Sequence, residues 1–242
     1  MFVVVKKKMI IFALIILVIL FGISALFRNQ GIFVNSTKSE ASNIVVIDAG
    51  HGGMDGGCVG EGNILEKELN LKVAKKLEKI FSENGYKVIM TRTEDVSLAS
   101  DENAKIRNQK TQDLKKRAEI ANNSGGALFI SIHMNEYTSP EISGAQVFYN
   151  KNDETGEKYA KSVMSSLKKV DTKNRRLSKE IPNKNLVFNK LTIPGILVEC
   201  GFLSNPEECK KLQDELYQND IANAIYNGIV NINWEKIKKF HI

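Results

Sequence analysis

Two histidines stand where a metal enzyme would need them. His51 follows the apolar run Ile44–Ile47 and opens a glycine-rich stretch, and His133 ends the run Ala127–Ile132. A third apolar segment, Ile196–Val198, ends in Glu199. Each of these residues falls at the C-terminal tip of a short β-type segment, and in an open α/β sheet such tips line up along the edge where ligands collect. Catalytic zinc sites commonly use three protein ligands, often two histidines and a glutamate, with a fourth position left for water. His51 and His133 supply two. The third ligand should be a carboxylate fixed near the strand tips. Glu66 is the best placed, at the start of the helix that follows the glycine loop, but Glu61 and Glu68 compete on spacing, and Asp48 and Asp55 lie in the same region. Glu66 and Glu68 are roughly 200° apart around a helix, so they do not both face one metal. A first-turn glutamate also stabilises a helix dipole without touching any metal, and spacing alone leaves the choice open.

Glu199 invites a different role. A carboxylate at the end of an apolar strand is costly unless it pairs or acts. A glutamate beside a metal-activated water can accept a proton and later return it to a leaving amine. The plain alternative is an ion pair with a nearby lysine or arginine. His241, close to the C-terminus, has no strand context and reads as a surface residue. Cys58, Cys200 and Cys209 form neither a disulfide framework nor a paired Cys-x-x-Cys zinc knuckle. Cys200 reads as a small buried residue, and a Cys200–Cys209 bridge is open outside the cytoplasm.

The elements that must position these residues alternate. Strands are expected at Asn43–Asp48, Tyr86–Thr91, Ala127–His133, Ala145–Tyr149, Leu186–Phe188 and Gly195–Glu199. Helices are expected at Leu65–Asn84, where Leu69, Val73, Leu77 and Ile80 share a face, at Thr111–Asn123, at Thr155–Val170, and from Pro206 to about Ile232. Gly50–Gly62 is a loop that lets backbone approach a ligand closely. The pattern predicts an α/β fold: a single domain with a mostly parallel twisted sheet covered by helices on both faces.

Lys6–Lys8 precede an apolar run from Met9 to Phe27, about 19 residues, close to the ~20 a bilayer-crossing helix needs. Basic residues before the run place the N-terminus in the cytoplasm and the rest outside. The cleavage candidate around Gly22–Ala25 is weak, which favours a retained membrane anchor over a signal peptide. Residues 1–27 are thus an anchor or signal, 28–42 a polar linker and 43–242 the catalytic domain. The net charge is +6, of which those three lysines supply half. That is too mild to indicate nucleic acid; an anionic wall or membrane surface would tolerate it, as would most solvents.

The residues around these positions resemble the zinc-dependent N-acetylmuramoyl-L-alanine amidases, a family of bacterial cell-wall amidases. Six segments carry the resemblance in family order: Ile47–Gly57, Leu65–Leu71, Thr91-Arg92, Arg117–Asn122, Ser131–Asn135 and Pro194–Asn205. The resemblance implies that His51, Glu66 and His133 bind zinc and that Glu199 is the catalytic glutamate, so it chooses Glu66 where spacing did not. It implies hydrolysis of the amide joining the lactyl group of muramic acid to L-alanine of the stem peptide, with peptidoglycan as substrate. The location would be the envelope of a bacterium, Gram-positive and spore-forming if the subgroup is right.

Some relatives carry a helical plug before the final segment. Here Asn150–Asn185 has room for one helix and a loop, so no plug is expected. Many relatives have arginine where Asn189 or Lys190 stands. A short, membrane-tethered, single-domain amidase is similar to the sporulation and germination type that trims spore cortex on the way to muramic lactam. Activator proteins recur in the family, so an accessory partner is expected; the lysines at 236, 238 and 239 offer it a surface, or else form a solvated helix end. Two other classes compete: a degenerate module that binds peptidoglycan without cutting, which would have no use for Glu199, and a zinc peptidase acting within the stem, from which the lack of a His-Glu-x-x-His motif removes one large group.

Overall fold

The computed structural model describes residues 43–238 apart from 102, 183 and 184. The expected anchor or signal at 1–27, the linker at 28–42 and His241 lie outside the described residues. No helix among the described residues is long and apolar enough to cross a membrane.

Among the described residues, eight strands and five α-helices follow one another: β1 (Ile44–Ala49), β2 (Val59–Gly60), β3 (Ile64–Leu65), α1 (Glu66–Glu83), β4 (Lys87–Met90), α2 (Ile106–Asn123), β5 (Leu128–Asn135), β6 (Gln146–Tyr149), α3 (Glu154–Val170), β7 (Lys179–Glu180), β8 (Gly195–Phe202), α4 (Pro206–Gln213) and α5 (Glu215–Lys238). Six strands form one sheet in the order β4-β1-β5-β8-β6-β7, and β2 and β3 make a small hairpin. Within the large sheet only the β6–β8 pair is antiparallel, so the sheet is mixed but mostly parallel. The reason is connection length: the β5–β6 link, residues 136–145, holds no helix, and a parallel return needs a longer crossover.

Alternation along the strands sorts two apolar faces. Val45, Ile47, Leu128, Ile130, Ile132, Ile196 and Val198 join the core built by α1, α3, α4 and α5. On the other face Val46 and Phe129 pack with Ala118 and Ala121 of α2 and with Val187 and Phe188. By the same alternation Asp48, Ser131, His133, Leu197 and Glu199 emerge on the α2 face.

Three expectations change. Leu186–Phe188 is no strand: a turn leads into a 3-10 helix at Phe188–Lys190, with Phe188 buried edge-on against Phe129. Its apolar run packs onto the sheet rather than joining it. Helix α2 begins at Ile106, five residues before the predicted start, because its first turns are polar and carry no apolar period. The C-terminal helical region is two helices, broken at the extended Asp214. The cysteines are all free, so Cys200 and Cys209 do not form a bridge; both are buried in the larger core.

Candidate metal centre and active site

Each functional side chain arrives on a different element. His133 stands near the end of β5 and pairs in register with Glu199 on β8, so the two lie side by side on one face. His51 follows β1, and Glu66 opens α1 from the opposite side of the sheet. The donor atoms of His51, Glu66 and His133 all lie within 4.8 Å of one another, a spacing that suits a single metal ion. The two imidazoles sit edge to face, 4.9 Å between centroids. The Glu66 carboxylate bridges them, Oε2 3.1 Å from His51 Nε2 and Oε1 2.8 Å from His133 Nδ1. Glu61 and Glu68 are exposed; neither joins the cluster.

Glu66 is held as tightly as it holds. Oε2 accepts from the Cys58 backbone N–H at 2.9 Å, and Oε1 accepts from Asn70 Nδ2 at 3.0 Å and from the Met134 N–H at 3.2 Å. Burial pushes its pKa up, but the two histidines outweigh burial and hold it well below the usual carboxylate range. Two glycines make room. A Cβ at Gly50 would lie 2.2 Å from the His133 ring, and one at Gly57 would lie 2.3 Å from Glu66 Oε2.

His51 has φ of 61°, a left-handed conformation uncommon for a residue with a side chain. Two arginines hold it there. Arg117, 1% exposed, donates to the carbonyls of Ala49 and His51 and pairs with Asp48 and Asp113. Arg92 donates to the carbonyls of Ala49 and Gly50, and Asn70 adds a bond to Gly50. Three consecutive carbonyls are thereby fixed. Asp48 is no ligand: it is buried among Arg117, Thr91 and Ser131, and although burial pushes its pKa up, Arg117 and the two hydroxyls leave it lowered.

Asp55 touches His51 on the ring's other nitrogen. Its Oδ2 lies 3.0 Å from Nδ1, close enough for an ionic contact, although Nδ1 makes no well-aligned hydrogen bond. Lys110 of α2 pairs with Asp55 at 2.8 Å. Burial lowers the His51 pKa, but Asp55 and Glu66 overcome this and push it up to about 9.

Glu199 differs from Glu66 in every respect. Its residue surface is partly accessible, yet Oε2 is shut off from water and has no hydrogen-bond partner. Burial, reinforced by repulsion from Glu66 and opposed by the two histidines, pushes its pKa up to about 7. No lysine or arginine among the described residues pairs with it, so the ion-pair alternative is not realised. A cleft of about 160 Å³ opens onto His51, His133, Leu197, Asn185 and Phe188. A larger hollow of about 510 Å³ between α3 and α5 holds none of the site residues, so chemistry rather than size locates the site.

Residues 45–231 match the N-acetylmuramoyl-L-alanine amidase family. The chain belongs to this family. The reaction is therefore hydrolysis of the N-acetylmuramoyl-L-alanine amide of peptidoglycan. The amidase is 38% identical over 231 residues to the germination-specific N-acetylmuramoyl-L-alanine amidase of Bacillus subtilis, covering 96% of this chain and 97% of that one. Among solved structures it is similar to the CwlD amidase of Clostridioides difficile in complex with the GerS lipoprotein, with a TM-score of 0.74, 40% identity and coverage of 78% and 96%. The catalytic domain of CwlV from Bacillus (Paenibacillus) polymyxa gives 0.67, 32% identity and coverage of 78% and 97%.

Both buried arginines lie in segments that carry the family resemblance, yet spacing does not mark them as site residues. A charged residue on a helix reads as solvated, and nothing local marks Arg117 as the exception. Spacing offers Asp55 as a ligand candidate, whereas it stands as the partner of His51. Asn189 and Lys190 are exposed on the 3-10 helix.

Proposed function

We propose that the amidase binds zinc through His51, Glu66 and His133 and uses Glu199 as its proton carrier. The convergence of those three donor sets is the observation that supports the reading. Two imidazoles and a carboxylate are a donor set zinc favours in catalytic sites. Bound there, zinc would polarise the scissile carbonyl and acidify a water toward a pKa of ~7. Glu199, which burial pushes up to about 7 in the metal-free site and which the charge of bound zinc would bring down, takes a proton from the attacking water and gives it to the alanine nitrogen, which cannot leave as an anion. Asp55 holds the outer nitrogen of His51, as carboxylates commonly do for metal-bound histidines. Arg92 and Arg117 keep the His51 backbone in place.

The wider setting belongs to the same reading. Residues 43–242 form the catalytic domain, 28–42 a tether and 1–27 a membrane anchor or signal, so the enzyme works outside the cytoplasm. Likeness to a germination-specific amidase and to CwlD supports a role in spore cortex. Because that CwlD structure contains the GerS lipoprotein, an accessory protein is also proposed here.

Digestion of purified peptidoglycan by the zinc-supplemented protein, read by mass spectrometry, tests the reaction. Free stem peptides that begin with L-alanine are expected. Fragments cut inside the stem would replace the amidase by a peptidase, and binding without products would leave a wall-binding module.

A further inference from the structure

A second cavity flanks the site on the β6 side. The link from β5 to β6 passes the tip of β8, and beneath it lies a hollow of about 330 Å³ lined by Asn135, Tyr137, Ile142, Gln146, Arg176 and Phe202. It adjoins the chemistry directly. Gln146 pairs in register with Glu199, and Asn135 lies two residues beyond His133 on β5.

Arg176 dominates this hollow, and its guanidinium is fixed before any ligand arrives. Nε donates to the Ser143 carbonyl at 2.8 Å and Nη1 to Gln146 Oε1 at 3.1 Å. The guanidinium carbon lies 4.6 Å from the centre of the Phe202 ring. The backbone that carries it is locked to the start of β6: Asn174 Oδ1 accepts from the Arg176 N–H, and Asn174 Nδ2 donates to the Ala145 carbonyl. Arg117 is neutralised by two aspartates; Arg176 pairs with no acid among the described residues, and its Nη2 donates to no acceptor among them. A preset guanidinium with an uncompensated charge and a free edge suits a carboxylate, which it can grip through a planar fork.

We propose that this cavity is the subsite for a carboxylate of the stem peptide, with Arg176 as its anchor. The inference rests on the amidase reading. The two sides of the scissile bond differ in charge: the muramic acid carboxyl is itself the amide, so the glycan side is neutral, whereas the peptide side carries free carboxylates. Arg176 therefore orients the substrate. The departing peptide lies toward β6, and the glycan lies in the cleft beside Asn185 and Phe188.

The test is equilibrium binding to the zinc-loaded full chain carrying Glu199→Gln, which prevents turnover. The probes are N-acetylmuramoyl-L-alanyl-D-glutamate and the same compound with its carboxyls converted to carboxamides. The acid should bind at least about tenfold more tightly. Adding Arg176→Gln should bring the ratio near one, and Arg176→Lys, which keeps the charge without the fork, should give an intermediate value. Melting temperatures establish that each variant is folded, and the lysine variant carries the test if the glutamine variant is not. A ratio near one with Arg176 intact, or a ratio unchanged without it, overturns the subsite. Cleavage by the unsubstituted protein is scored separately: no cleavage with the binding ratio preserved would sink the amidase reading and leave the subsite standing.

Discussion

Two glutamates in one site are shifted in opposite directions. Glu66 is ringed by donors and stays ionised; Glu199 has a carboxylate oxygen with no partner, and burial pushes its pKa up to about 7 in the metal-free site. This contrast predicts separable losses. Glu199→Gln should cut turnover by at least about 10²–10³-fold, the scale of general acid–base catalysis, with zinc retained at one ion per chain. Glu66→Gln should lose zinc and activity together, as metal analysis beside a rate assay would show. The charge of His51 adds a pH dependence. Its pKa in the metal-free site is about 9, and a ligand must be neutral, so a proton has to leave as zinc enters. Apparent zinc affinity should fall by roughly tenfold for each unit that pH drops below about 9. Titration calorimetry in buffers of different ionisation enthalpy would detect the released proton, and an affinity flat between pH 8 and 6 would refute the assignment. At this scale the sequence was most informative about residues at strand tips, since position after an apolar run marks His51, His133 and Glu199. It could not separate Glu66 from Glu61 and Glu68, because that choice depends on how α1 meets the sheet. The hairpin before α1 leaves Glu61 exposed, and the helical turn carries Glu68 to the solvent side.

The elements matter through the way two of them meet. Helix α2 reaches the β1 loop through Arg117, which fixes the His51 carbonyl and neutralises Asp48. Arg117→Met should remove the positive partner from a buried carboxylate and destabilise the fold by about 3–5 kcal/mol. Denaturant unfolding would measure it, and a cost below about 1 kcal/mol would show that the pair carries no such weight. The sign of the pH effect follows from Asp48. Its folded-state pKa is depressed, so its stabilising contribution is complete above the unfolded value, declines as pH falls from that value toward the folded one, and is gone below the folded one. Gly57→Ala should weaken zinc binding, because the added methyl meets Glu66 Oε2 and the backbone has φ of 71°. Element existence was readable wherever an apolar period was present, as in α1 and α3. It failed where polar residues fill a helix, as in the first turns of α2, or where a short apolar run packs flat on a sheet, as at Val187 and Phe188.

For the molecule as a whole, the site sits at the margin of the core. The main core runs between the sheet and α1, α3, α4 and α5, and the metal centre meets it only at one edge, where Glu66 opens α1 and accepts from the Met134 N–H. Removing zinc should therefore leave the far-ultraviolet circular dichroism unchanged while lowering the melting point. The loss corresponds to about 2.7 kcal/mol if free zinc had stood a hundredfold above its dissociation constant. Collapse of the secondary structure on chelation would show that the metal holds the fold. The α/β class was legible from alternating elements. The antiparallel β6 was not, because the length of the 136–145 link signals a reversal only once β8 is known to lie between β5 and β6.

The division of labour among four residues is the central claim, and zinc-edge X-ray absorption tests it most directly. The spectrum of protein loaded with one zinc per chain should show a first shell of nitrogen and oxygen only, with the outer-shell pattern of two imidazoles. Glu199→Gln should leave that spectrum unchanged while abolishing cleavage. A sulfur shell near ~2.3 Å, or a first shell altered by Glu199→Gln, would contradict the account.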